Sequence, residues 1–199
     1  LFGRGIYFLD DGVSFLTART MTETTTHQAS EIPDDLLAEI DEVVTHYPVS
    51  MRSASLPLLH LWQNHFGFID ESGIEWIAAK LELEPVNILE LVTFYPWFRR
   101  EAAGKNIVRV CRTLACAMAG SYELKDKFCE VTGIDPTADH HGFGHAPPTS
   151  ADGIFSVEFV ECLASCGTAP VCLINDELHE NVGLGDVAQI VEDYSTVAA

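Results

Sequence analysis

The chain has 199 residues, 47% of them hydrophobic, enough to bury a sizeable core as one domain or as two small ones. Thirty acidic against eleven basic residues leave a formal net charge of -19, which argues against nucleic-acid binding through clustered Lys and Arg and for a basic protein partner. No run approaches the roughly 20 uninterrupted apolar residues of a membrane helix, so direct membrane insertion is not expected.

Residues 1 to 20 begin with Leu, and Asp10, Asp11 and Gly12 break their apolar stretches, which makes them a poor secretory signal. Met21 and the polar run after it read as a chain start. Residues 1–32 are therefore expected to be a disordered or non-native extension outside the fold. Leu36, Leu37, Ile40, Val43, Val44 and Tyr47 share one face of a helix that Pro33 and two aspartates open and Pro48 closes. Leu56 to Phe66 reads as a second helix with Ser53 and Ser55 as candidate caps and Gly67 as its stop. Asp70 can cap a third carrying Ile74, Ile77, Ala78 and Leu81, and Pro85 can open a fourth with Ile88, Leu89, Val92 and Tyr95. Residues 33–103 thus read as a helical bundle.

The pattern changes after Lys105. Ile107 to Cys111 is a β-rich run, and Ser121 can cap a helix with Leu124, Phe128 and Val131 on one face. A loop rich in Gly, His and Pro follows from Gly133 to Gly153, and then Phe155, Val157 and Phe159 alternate as a strand does. Val171 to Ile174 and Leu178 to Val182 flank Asn175-Asp176 as a hairpin, and Val187, Ile190, Val191 and Tyr194 close with a helix. Residues 104–199 read as an α/β layer, which makes the whole chain α+β.

Four of the six cysteines form two short-spaced pairs, Cys111-x4-Cys116 and Cys162-x3-Cys166, each directly after a predicted strand. Loops held at neighbouring strand ends can bring four thiolates around one inorganic centre. Small residues bound each pair, Ala115, Ala117 and Gly120 in one loop and Ala164, Ser165 and Gly167 in the other, so backbone amides can approach sulfur. Structural zinc also uses four thiolates, though often at two-residue knuckle spacing. Disulfides suit a secreted chain, and a thiol-disulfide enzyme carries Cys-x-x-Cys, which neither pair has. The chemistry favours an iron-sulfur site without deciding it.

The flanking residues are more specific. Val110-Cys111-Arg112-Thr113-Leu114-Ala115-Cys116, Glu161-Cys162-Leu163-Ala164-Ser165-Cys166 and Ala169-Pro170-Val171 closely resemble the thioredoxin-like 2Fe-2S ferredoxin family, whose members serve as subunits of NADH-quinone oxidoreductases. The resemblance extends through Arg52-Ser53-Ala54, Leu56-Pro57-Leu58-Leu59-His60, Thr93-Phe94-Tyr95-Pro96-Trp97-Phe98 and Ile174-Asn175-Asp176. It implies a helical bundle followed by a thioredoxin-like α/β domain, and one 2Fe-2S cluster on Cys111, Cys116, Cys162 and Cys166. It further implies a flavin-bearing partner subunit that carries FMN and binds NADH. A cytoplasmic subunit, peripheral to the inner membrane through its complex, follows from the same resemblance. The corresponding diaphorase subunits of NAD-linked hydrogenases and formate dehydrogenases share these cysteines, and a zinc-stabilised, redox-silent assembly subunit is the alternative from another class.

Cys129 and Cys172 are expected in the core. His140, His141 and His145 form part of an insert, HHGFGH, and read as a solvated loop. Phe94, Tyr95, Trp97 and Phe98 are expected to pack as core at a helix end. No Lys or Arg follows Lys127, while twelve Asp or Glu do, so the C-terminal stretch should depress the reduction potential of a nearby cluster. Arg109 and Arg112 would raise it if they point at the cluster. No G-x-G-x-x-G follows a strand, so a nucleotide is expected on the partner and not on this chain.

Overall fold

The computed structural model describes residues 32–137 and 146–196. The backbone at Pro33 is extended, and helix α1, Asp34–Thr45, starts directly after it with Asp34 and Asp35 at the positive end of its dipole. A 3-10 turn over Met51–Ala54 leads into α2, Ser55–Phe66, which ends at Gly67 with φ 83°, a left-handed conformation that costs glycine nothing. Ser55 is not a cap: it is the first helical residue, and its hydroxyl donates back to the Arg52 carbonyl at 2.7 Å. Asp70 does cap α3, Glu71–Lys80, accepting the Gly73 N–H at 2.9 Å. Pro85 opens α4, Pro85–Phe94, in the first turn where its missing donor would have had no partner.

These helices enclose a core of Ile40, Leu58, Leu59, Trp62, Ile77, Ile88, Val92 and Phe98. α3 approaches α2 closely at Gly73. A Cβ built on Gly73 would lie 2.5 Å from Trp62 Nε1, so α3 can reach this buried indole only with glycine there.

Four strands follow, β1 (Asn106–Cys111), β2 (Phe155–Val160), β3 (Cys172–Ile174) and β4 (Glu177–His179), in the spatial order β2-β1-β3-β4. β1 and β2 are parallel; β3 runs antiparallel to β1, and β4 antiparallel to β3. Asn175 takes φ 53° in the β3–β4 turn, the left-handed conformation its short side chain tolerates. Between β1 and β2 lie α5, Leu114–Met118, and α6, Ser121–Thr132; α7, Val187–Thr196, closes the described chain. Ser121 is the first residue of α6 and not its cap; Gly120 precedes it at φ 95°, and the buried Ser121 hydroxyl has no partner among the described residues.

One face of the sheet forms a second core. Val108, Val110, Val157, Cys172 and Ile174 pack there with Leu124, Phe128 and Cys129 of α6 and Val187 of α7. By strand alternation, Ile107, Arg109 and Cys111 point to the other face. Arg109 ties that face to the helices: its Nε donates to Glu158 on β2 at 3.0 Å, and its guanidinium lies 4.2 Å from the centre of the Trp97 ring. Burial pushes the Glu158 carboxyl up, and Arg109 then Arg99 oppose the shift. Gln63 completes the joint by donating to the Trp97 carbonyl at 3.0 Å and accepting the Arg99 N–H at 2.8 Å.

The aromatic run does not pack as one core block. Phe98 is buried, but Phe94, Tyr95 and Trp97 are exposed, because α4 ends at Phe94 and the next residues cross the surface towards the sheet.

Gly73→Ala should destabilise the fold by about 1 to 3 kcal/mol through overpacking against Trp62, read as a lower urea midpoint. Arg109→Met should cost about 2 to 3 kcal/mol by leaving the largely buried Glu158 carboxylate unpaired, and Arg109→Met with Glu158→Met should recover most of the loss; equal losses in the single and double variants would contradict this.

Candidate metal centre

The parallel register assembles the site. Cys111, the last residue of β1, lies opposite Val160, the last residue of β2, so Cys162 leaves β2 beside the point where Cys111 leaves β1. The first loop then folds into α5, a single short helix that turns Cys116 back into the protein. Cys111, Cys116 and Val171 are buried together, with Leu163 and Ala169 packed against them. Cys162 and Cys166 are exposed, Cys166 at the start of a 3-10 turn, Cys166–Thr168.

The thiols are wired by local donors. Cys111 Sγ lies 3.3 Å from Thr113 Oγ1, and the Ala164 N–H donates to Cys162 Sγ at 3.4 Å. Burial acts to raise the Cys111 thiol, but hydrogen bonds from the Thr113 hydroxyl, from the Leu163 and Thr113 amides and from the Cys116 thiol outweigh it and hold Cys111 below the usual cysteine range. Cys116 moves the other way: burial raises it, the Val171 amide opposes, and the neighbouring Cys111 and Cys166 raise it further. Cys116 therefore senses one cysteine from each loop. Amides aimed at sulfur from both loops suit thiolate ligands.

The second loop is pinned from outside. Ser165 Oγ and Thr168 Oγ1 both donate to the Glu180 carboxylate, which these bonds hold below the usual range, and the Asn181 N–H donates to the Thr168 carbonyl at 2.7 Å. Among the described residues no three Cys, His, Asp or Glu side chains converge as a ready-made pocket for a single ion. Cys111 and Cys116 are the pair buried together, while Cys162 and Cys166 stay at the surface.

A family model for thioredoxin-like [2Fe-2S] ferredoxins matches residues 40–195. The chain belongs to the thioredoxin-like [2Fe-2S] ferredoxin family. It is 39% identical to NADH-quinone oxidoreductase subunit 2 of Thermus thermophilus over 145 residues, 72% of this chain and 75% of that one. It is 32% identical to an NADH-quinone oxidoreductase subunit of Aquifex aeolicus over 166 residues, 83% of this chain and 96% of that one. An NAD+-reducing [NiFe]-hydrogenase in the air-oxidized state shares the fold over 71% of this chain with a TM-score of 0.57 and 18% identity. This chain spans 23% of that hydrogenase chain, so the likeness carries the architecture alone.

Neither arginine singled out in the sequence is a free cation beside the thiols. Arg109 is held by Glu158 and Trp97, and Arg112 donates from Nε to Glu161 at 3.0 Å. Cys129 and Cys172 are core residues as expected, and burial pushes Cys172 up to about 12 and raises Cys129 as well. His140, His141 and His145 and the chain up to residue 31 lie outside the described residues. The residues missed from sequence are those that position thiols without being thiols: α5, Thr113, the Leu163 amide and Glu180. Of these only Thr113 carried a signal, a hydroxyl residue two positions after a ligand-type cysteine.

In the metal-free protein at pH 8, iodoacetamide should label Cys162 and Cys166 first and leave Cys129 and Cys172 unmodified, as read by peptide mass spectrometry. Early labelling of Cys172 would contradict its burial.

Proposed function

We propose that Cys111, Cys116, Cys162 and Cys166 hold one 2Fe-2S cluster and that the chain is an electron-transfer subunit of the NADH-oxidising module of an NADH-quinone oxidoreductase. The observation that carries this reading is that both cysteine loops leave the same ends of two adjacent parallel strands, with Cys111 and Cys116 buried together there. A bound cluster of this type takes up one electron and passes it on, its net charge going from two negative to three.

The chain's own groups set how easily that charge is accepted. Amides of Leu163, Ala164 and Val171 point at cysteine sulfurs and stabilise negative charge there. Against them stands the acidic C-terminal part, where Glu180 lies beside the second loop with hydroxyl donors and no ion pair among the described residues. Arg109 and Arg112 do not tip the balance, because each is matched by a carboxylate. The acidic contribution therefore dominates and lowers the potential.

NADH and FMN belong on a flavin-bearing partner subunit, in keeping with the complexes named for the relatives. Among the described residues no helix is long and apolar enough to cross a membrane; a peripheral, cytoplasmic placement is part of the same proposal and rests on the complexes named for the relatives. The separate cores over residues 32–98 and 108–187 support a unit boundary near residue 104.

The test is iron analysis with low-temperature electron paramagnetic resonance on anaerobically reconstituted protein. About two irons per chain and a spin-half signal that appears only after dithionite are expected. Zinc without iron, or no signal on reduction, would overturn the relay reading.

A further inference from the structure

Beside the cysteine loops the protein exposes apolar side chains that its own cores do not use. Leu114 and Met118, at i and i+4 on α5, are 76% and 81% exposed, and they flank the buried Cys116 on the same short helix. Leu184, 50% exposed, lines a groove that also takes in Ala119, the residue after Met118. The groove has a volume of about 330 Å³ and is lined by Ala119, Gly120 and Glu123 from the end of α5 and start of α6 and by Pro170, Val182 and Leu184 from the C-terminal part. Exposed apolar side chains next to a groove rimmed by polar groups mark an interaction site.

The rim has one sign. Glu123 lines the groove itself. Asp186 is fixed beside it by accepting the Gly183 N–H at 2.9 Å, and Glu180 adjoins the lining residue Asn181. The C-terminal lining residues fall in the part of the chain beyond Lys127 that has no Lys or Arg. Among the described residues the ion pairs take in none of Glu123, Glu180 and Asp186, and an occupant carrying cations around an apolar tip fits both features.

We infer that the Leu114 and Met118 face together with this groove is the docking surface for the flavin-bearing partner subunit, which inserts an apolar side chain flanked by Lys or Arg. The inference rests on the proposed partner and adds where and how it binds. Docking here covers the exposed Cys162 and Cys166 loop and sets the partner against the helix that carries Cys116. Electrons then have a short, water-poor route.

The test uses the reconstituted protein and the purified flavin-bearing subunit in titration calorimetry. Met118→Glu with Leu184→Glu should weaken binding at least tenfold while iron content and the reduced resonance signal of the isolated protein stay unchanged. Val86→Glu with Phe94→Glu, exposed apolar positions on α4, should leave the affinity within twofold. Glu123→Gln should weaken binding modestly and flatten its salt dependence. Leu184→Asn serves as a milder variant should the double one lose its cluster. Affinity unmoved by the groove variants, or weakened by the α4 pair instead, overturns the docking surface while the resonance signal leaves the cluster reading standing. Wild-type protein without iron overturns the cluster reading, and the groove is still judged by the binding data.

Discussion

The parallel pairing of β1 with β2 is the constraint on which the rest depends. Parallel neighbours end on the same side of the sheet, so loops that leave them meet even though they are distant in sequence. Cys111 and Val160 end their strands in register, and Cys162 follows within two residues. An antiparallel pairing would send the two cysteine pairs to opposite ends of the sheet. The arrangement requires a crossover, and α6 supplies it while burying Leu124, Phe128 and Cys129 against the sheet. The helix that makes the topology possible is thus also the one that fills the core, and the cysteines are free of any packing duty on that face.

The two loops do unequal work. The first places Cys111 and Cys116 out of water, with Cys111 Sγ 3.3 Å from the Thr113 hydroxyl and donating to the Glu161 carbonyl of the other loop at 3.4 Å. The second keeps Cys162 and Cys166 at the surface, held through Ser165 and Thr168 by Glu180. In the centre proposed above, the buried thiols would fix where it sits and the exposed ones what can reach it. The electrostatics follow the same division: the cations near the site are spent on Glu158 and Glu161, so the field that remains is the acidic one of the C-terminal part.

Much of this was legible in the sequence, because several residues there have one structural use. Asp70 before an apolar helix, Pro85 at a first turn and Asn175-Asp176 between two short apolar runs each mark a local conformation whatever surrounds them. The cysteine pairs were legible because thiol spacing and small neighbours carry chemistry directly. What escaped depends on partners far along the chain. The hydroxyl of Ser121 looked like a cap, but Gly120 at φ 95° enters the helix by backbone geometry alone. The short α5 has too few residues for any periodicity to show, and its existence depends on burying Cys116 beside Val171. Arg109 could not be placed from its neighbours in sequence, since Glu158 and Trp97 come from two other elements.

The Arg109 joint also explains why the cysteine end of the sheet is open. One sheet face is filled by α6 and α7, and the helical part reaches the opposite face through Trp97, Arg99 and Gln63, beside Arg109. Arg109 and Cys111 lie two residues apart on the same strand and the same face, roughly 7 Å along it. A buried arginine paired to a carboxylate and stacked on an indole fixes the position of the helical part, because breaking one partner leaves the other charge without compensation. The helical layer is therefore anchored one step short of the cysteines. It steadies the strand that carries Cys111 without covering Cys162 or Cys166, and among the described residues these thiols stay exposed, as do Leu114 and Met118 of α5.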